Sequence, residues 1–244
     1  MSQFTSFPMS CSIAPMVAVM AKDLPVLNSD VKADPDMARG QQERQVHHES
    51  RSTLSSSHRL SKSRFLAGLQ CLKRLYLEIH EPDLAAPPSP DRRAIMDLGT
   101  EVGEVARRLF PGGVLVEETH RQIPAALRRT EALLENPATI AIFEGAFIWN
   151  GVLIRVDILE RVNTDQWRLI EVKATSKVKP IHLDDLAIQM TVLENIPLHI
   201  ESCVLMHLNT QYAFEGNALN LEELFSRVNM TEEVKRRQAS LQPQ

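Results

Sequence analysis

Residues 1–59 show no sustained hydrophobic period of 3.6 or 2. Ser, Met, Pro, Gln, His and scattered charge alternate there, and the only aromatics are Phe4 and Phe7. Such chain buries too little apolar surface to offset its own ordering, so 1–59 is expected to be a disordered extension. His47-His48 belongs to that composition and is not read as a metal site. Periodic sequence begins at Leu60. Over 61–79, Phe65, Leu66, Leu69, Leu72, Tyr76 and Ile79 recur every three to four residues behind the capping candidates Ser61 and Ser63, which predicts one amphipathic helix. Pro82, Pro87, Pro88 and Pro90 then predict a loop.

A second helix is expected over 97–110, with Leu98, Val102, Val105, Ala106 and Leu109 inward, stopped by Pro111-Gly112-Gly113. A third helix, with Leu127, Leu133 and Leu134 inward, ends near Asn136-Pro137. Two β-rich runs follow, 140–148 and 152–160, joined by Asn150-Gly151, a dipeptide that tolerates the positive φ of a tight hairpin turn. A strand over 167–174, a helix over 181–195 and a strand over 200–208 complete the order α-β-β-β-α-β, and 221–239 is expected to be helical. The fold class is therefore α/β, a mixed sheet flanked by helices. The chain divides into an extension at 1–59, a domain at 60–215 and a helical tail at 216–244.

Composition narrows the function classes. The 244 residues are 43% hydrophobic and 24% charged, the profile of an ordinary soluble protein large enough to hold a core without staples. Lys+Arg 27 against Asp+Glu 31 leaves a net charge of -4, which excludes histone-like binding through the global field; a polyanion would need a local basic patch or a metal ion. Cys11, Cys71 and Cys203 have no CxxC spacing and make neither a disulfide framework nor a self-contained zinc site, so a reducing cytoplasm is expected. The apolar run 13–21 lacks a preceding Lys or Arg and contains Pro15, so it reads neither as a leader peptide nor as a membrane span.

The residues that promise chemistry lie on two strands. Val152, Ile154, Val156 and Ile158 occupy one face of the second strand, which leaves Arg155 and Asp157 on the other; in the third, Glu171 and Lys173 leave from a common face. If the strands are neighbours, Asp157, Glu171 and Lys173 converge. Two carboxylates offer hard oxygen ligands for Mg²⁺ or Mn²⁺, and an ammonium beside them can orient an attacking water and offset transition-state charge. Such a set suits phosphodiester hydrolysis, although alternating strands often carry nothing more than solvated charge on their polar face.

The element order, with Asp157 followed by Glu171-Val172-Lys173, resembles the core of the PD-(D/E)XK nuclease superfamily, a restriction-endonuclease-like fold. The blocks Leu60-Ser-Lys-Ser-Arg-Phe-Leu, Gln70-Cys71-Leu-Lys-Arg-Leu-Tyr, Gly99-Thr-Glu-Val-Gly-Glu-Val-Ala, Arg155-Val-Asp-Ile-Leu-Glu, Leu169-Ile-Glu-Val-Lys and His182-Leu-Asp-Asp-Leu-Ala-Ile-Gln189 are similar to an uncharacterised bacterial RecB-like family related to CRISPR-associated RecB-type exonucleases. The resemblance implies Asp157 and Glu171 as metal ligands, Lys173 as the catalytic lysine, Gln189 as the glutamine of the following helix, and Glu101 or Glu104 as the acid of the preceding helix. It also pairs Cys71 with three later cysteines around a [4Fe–4S] cluster, which three cysteines cannot complete; the sequence therefore resembles a family member cut short at its C-terminus. Relatives often place His where Gly103 stands, and Leu193 stands where a tyrosine is expected.

The expectation is a Mg²⁺- or Mn²⁺-dependent nuclease acting on single-stranded DNA ends or flaps. The rival is a catalytically inactive nucleic-acid-binding or interaction module. Cys203, Trp149 and Trp167 read as packing residues, and His182 as polarity at a helix entrance. Arg92, Arg93, Arg107, Arg108, Arg128, Arg129, Lys177 and Lys179 are candidates to line a nucleic-acid groove. Oligomeric state is not legible.

Overall fold

In the computed structural model, residues 60–214 and 219–241 are described; the extension expected at 1–59 lies outside them. The elements are β1 (Leu60–Ser61), α1 (Lys62–Gln70), α2 (Leu72–His80), a 3₁₀ turn (Pro82–Leu84), α3 (Pro90–Arg107), β2 (Val114–Leu115), α4 (Ile123–Glu135), β3 (Ala141–Trp149), β4 (Val152–Arg161), β5 (Gln166–Lys173), α5 (Pro180–Glu194), β6 (His199–Leu208), α6 (Leu221–Leu224), β7 (Phe225–Asn229) and α7 (Thr231–Leu241). The expected α-β-β-β-α-β order is present, as α4-β3-β4-β5-α5-β6. The strands form one seven-stranded mixed sheet in the order β2-β3-β4-β5-β6-β7, with β1 pairing β4 off that path. β3–β4, β4–β5 and β6–β7 are antiparallel, and β2–β3, β5–β6 and β1–β4 are parallel.

Two apolar cores cover the two faces of the sheet. The larger takes Phe65 of α1, Ala126 and Leu133 of α4, Leu186, Met190 and Leu193 of α5 and Val234 of α7 against Ile142, Ile154, Val156, Leu169 and Leu205. The smaller sets Val102 and Ala106 of α3 with Phe110 against Phe143, Ile158, Ile170 and Met206. A buried hydroxyl helps seat α4, since Thr130 Oγ1 accepts from the Ala146 amide at 2.9 Å and donates to the Ala126 carbonyl at 2.9 Å. The β3–β4 hairpin turns at Asn150 (φ 47°) and Gly151 (φ 76°), both left-handed as the dipeptide predicts.

Several expectations are corrected. The helix expected over 61–79 is two helices, because Cys71 is extended (φ -165°, ψ 117°) and its amide closes α1 on Ala67. Only Phe65 of the expected stripe is fully buried, while Leu72 and Tyr76 are 55% and 57% exposed, since α2 has little to pack against. α3 starts at Pro90 instead of 97: proline fits the first turn, where its missing amide has no partner to lose, and Ser89 caps the Arg92 amide. Leu98, expected inward, is 46% exposed. The helix expected over 221–239 is α6, an edge strand β7 paired to β6, and α7, which packs on α5 through Val234 and through Gln238 donating to Thr191 and Glu194. Residues 225–241 therefore belong to the sheet and core, not to a separate tail.

The strand faces also differ in one respect. Val152, Ile154 and Val156 lie in the larger core as expected, but Ile158 joins the smaller one and Leu159 takes the larger. The change of face falls at the Glu144–Asp157 rung, missing from an otherwise regular β3–β4 register, where Glu144 adopts a left-handed φ of 56°.

Candidate active site

The change of face opens a cleft. β5 pairs with β4 only from Ile158 to Arg161, and β1 takes the edge of β4 at Val152 and Leu153. Between those pairings the edge of β4 is unshared by a strand, and Asp157 fills the gap by accepting the Val172 amide on Oδ2 at 2.8 Å. The carboxylate thus substitutes for a ladder carbonyl and is fixed beside Glu171. The cleft, about 660 Å³, is floored by Asp157, Glu171, Lys173 and Asp185 and walled by Lys62, Gln70 and Arg74 on one side and Met96, Thr100, Gly103 and Arg107 on the other, with Glu144 at the rim.

Glu171 is 1% exposed, and its oxygens are crowded by donors. Lys173 Nζ lies 2.5 Å from Oε1, Gln189 Nε2 donates to Oε2 at 2.6 Å, and Lys62 Nζ lies 3.3 and 3.4 Å from the two. Asp185 shares all three partners: Lys173 Nζ at 2.7 Å on Oδ2, with Lys62 Nζ at 2.8 Å and Gln189 Nε2 at 3.1 Å on Oδ1. The Gln189 amide donates to two carboxylates at once, while its buried Oε1 has no partner. Burial, reinforced by the charge of Asp157, raises the Glu171 carboxyl to about 7. Burial likewise raises Asp157. For Asp185 burial acts in the same direction, but the ammoniums of Lys62 and Lys173 outweigh it and hold the carboxyl well below the usual range. Both lysines, disfavoured as cations by burial, are held charged above their ordinary range by the facing carboxylates, Glu171 foremost.

The structure brings Asp157, Glu171, Lys173 and Gln189 together around this cleft. It does not bring Glu101 or Glu104 there: both are exposed, and α3 turns Thr100, Gly103 and Arg107 to the cleft in their place. Of the arginines and lysines expected in a groove, Arg107 lines it; Arg74 and Lys62 were not foreseen. His182 does what a helix entrance asks, its Nδ1 accepting the Lys179 amide at 3.2 Å. Cys71 is exposed at the α1–α2 break and Cys203 is buried in β6. Asp185 and Lys62 are the residues sequence reasoning missed. Asp185 stands one helical turn before Gln189, a spacing that puts both on one face and could have revealed it.

Among the described residues no three His, Cys, Asp or Glu side chains converge to hold a metal ion by themselves. The donor set still suits a hard divalent cation, because Mg²⁺ commonly takes one or two carboxylates and keeps its remaining ligands as water. Asp157 and Glu171 supply such a pair, and the raised pKa of each marks negative charge that a cation would stabilise.

The fold and the cleft together define a mixed α/β protein with a carboxylate–lysine site where two central strands part. No family model matches the chain, and no curated protein does. Among solved structures, the crystal structure of an alkaline exonuclease (LHK-Exo) from Laribacter hongkongensis is similar over 75% of this chain and 86% of that one, at a TM-score of 0.36 and 14% identity. Among the described residues no helix is long and apolar enough to cross a membrane.

Proposed function

We propose that the chain is a metal-dependent nuclease of the PD-(D/E)XK, RecB-like type, hydrolysing phosphodiester bonds of single-stranded DNA ends or flaps in the cytoplasm. The observation that carries this reading is the meeting of Asp157, Glu171 and Lys173 in an open cleft at the parting of β4 and β5. Asp157 and Glu171 would hold Mg²⁺ or Mn²⁺, which when bound polarises a phosphoryl oxygen and lowers the pKa of coordinated water. Lys173 Nζ orients the attacking water and offsets charge developing on the phosphoryl group. Gln189 and Asp185 are positioning residues: the first fixes the Glu171 carboxylate, the second holds the Lys173 ammonium. Arg74 and Arg107, on facing walls, supply the local basic surface that a chain of net charge -4 needs to meet a polyanion. The same family reading gives Cys71 to a four-thiolate [4Fe–4S] cluster in intact relatives, a site that the three cysteines of this chain cannot complete.

End-labelled single-stranded DNA incubated with the full chain and Mg²⁺ tests the proposal. Hydrolysis is expected, abolished by EDTA, and reduced about 10²–10³-fold in Lys173→Ala, with circular dichroism showing that the variant stays folded. EDTA-resistant cleavage, or cleavage undiminished in the variant, refutes it. The rival, an inactive nucleic-acid-binding module, has one observation in its favour: both oxygens of Glu171 are already occupied by side-chain donors. That reading predicts DNA binding indifferent to divalent ions and no cleavage under any of these conditions.

A further inference from the structure

Lys62 stands in an unusual place. It is the first residue of α1, directly after the Ser61 cap, where the partial positive charge of the helix end disfavours an ammonium. Yet it lies 2.8 Å from Asp185 Oδ1 and spans both oxygens of Glu171 at 3.3 and 3.4 Å, across 109 residues of sequence. Its charge is also the strongest attraction acting on Asp157. Lys173, by contrast, reaches Glu171 through Oε1 and Asp185 through Oδ2. Lys62 is thus a cation held against Asp185 Oδ1 and both oxygens of Glu171, the latter being oxygens that a divalent ion would use. An ammonium donates three hydrogen bonds and offers no lone pair, so it cannot join a coordination shell. A doubly charged ion at Asp157 and Glu171 would repel it strongly in this buried setting.

We propose that Lys62 is a tethered placeholder cation: it neutralises the Asp157–Glu171–Asp185 cluster while no divalent ion is bound, and must leave Glu171 for the ion to enter. This rests on the reading that Asp157 and Glu171 take a divalent cation. The Lys62 side chain is 19% exposed and borders the open cleft, so it has room to withdraw without unfolding α1. Metal affinity and the seating of the α1 N-terminus are then linked, each opposing the other.

Mn²⁺ binding to the full chain, read from the electron paramagnetic resonance signal of the free ion at pH 8, tests this with no substrate present. Lys62→Met is expected to bind Mn²⁺ at least about tenfold more tightly than wild type, opposite in sign to the roughly 10–100-fold loss that follows removal of a group that merely orients a ligand. Lys62→Arg, which keeps the charge, is expected to stay near wild type. If Lys62→Met does not fold in EDTA, the expected outcome is that Mn²⁺ restores its thermal transition; a variant that stays unfolded with saturating Mn²⁺ overturns the placeholder, leaving Lys62 a structural residue. Unchanged or weakened binding in folded Lys62→Met also overturns it, while the metal reading stands as long as Asp157→Asn loses affinity. Binding by Asp157→Asn equal to wild type, or no binding by any of these chains, overturns the metal reading and the placeholder with it.

Discussion

Burial of a carboxylate pair should make the metal-free chain less stable as pH rises, and Glu171→Gln should remove the effect. The Glu171 carboxyl, 1% exposed, is raised from 4.5 to about 7, by burial first and then by the charge of Asp157. Below 4.5 the native and unfolded chains both hold the proton. Between 4.5 and about 7 the native chain keeps a proton that the unfolded chain has released, so stability falls with rising pH, and above about 7 the whole difference has been lost. At about 1.36 kcal/mol per pH unit, the interval from 4.5 to about 7 corresponds to about 3 kcal/mol. His182 acts the other way: burial, with the charge of Lys173, lowers its pKa, so its contribution is lost as pH falls below 6.5. Comparing wild type with Glu171→Gln cancels that term. In EDTA at pH 8 the variant is expected to be more stable by about 2–3 kcal/mol, a Tm gain of roughly 4–10 °C at this size, shrinking towards zero at pH 5. Thermal melts at pH 5, 6, 7 and 8 measure it. A variant less stable than wild type at pH 8, or offset equally at both ends, refutes the reasoning.

Two further outcomes concern the frame around the site. Arg161 donates to the carbonyls of Thr139, Leu134, Asn136 and Thr164 and stacks 4.0 Å from the Trp167 ring centroid, so Arg161→Met, which strands those carbonyls, should cost about 2–4 kcal/mol in urea unfolding while leaving Mn²⁺ affinity unchanged. Because Glu101 and Glu104 face away from the cleft, Glu101→Ala with Glu104→Ala should leave both Mn²⁺ affinity and cleavage at wild-type levels; a loss of either would show that α3 turns an acid inward when metal or DNA binds.

Local chemistry explains what was legible in the sequence. Asn150-Gly151 specified its turn because few dipeptides tolerate two left-handed residues, and the strands β3, β4, β5 and β6 were bounded to within a residue by their apolar runs. Strand parity put Glu171 and Lys173 on one face, where the Lys173 ammonium reaches both Glu171 and Asp185. The failures were non-local. Leu72 and Tyr76 look like part of a buried stripe but are 55% and 57% exposed, with the His80 ring 4.5 Å from that of Tyr76, and nothing at Cys71 signals a break. β7, Phe225 to Asn229, is short and polar and gains its strand state from the edge of β6. The exchange of faces at Asp157 depends on a backbone distortion at Glu144 in the partner strand, which the pattern within β4 cannot report. Lys62 carries no local signal at all, since its partners lie on β5 and α5.

The central claim is that Asp157 and Glu171 share one divalent ion, and anomalous scattering from crystals of the full chain soaked in Mn²⁺ tests it most directly. The account predicts one strong peak in the cleft, about 2.0–2.3 Å from a carboxylate oxygen of each residue, with the Lys62 ammonium withdrawn from Glu171. A cleft without a peak at saturating Mn²⁺, or an ion bound elsewhere with Lys62 still spanning the Glu171 oxygens, would contradict it.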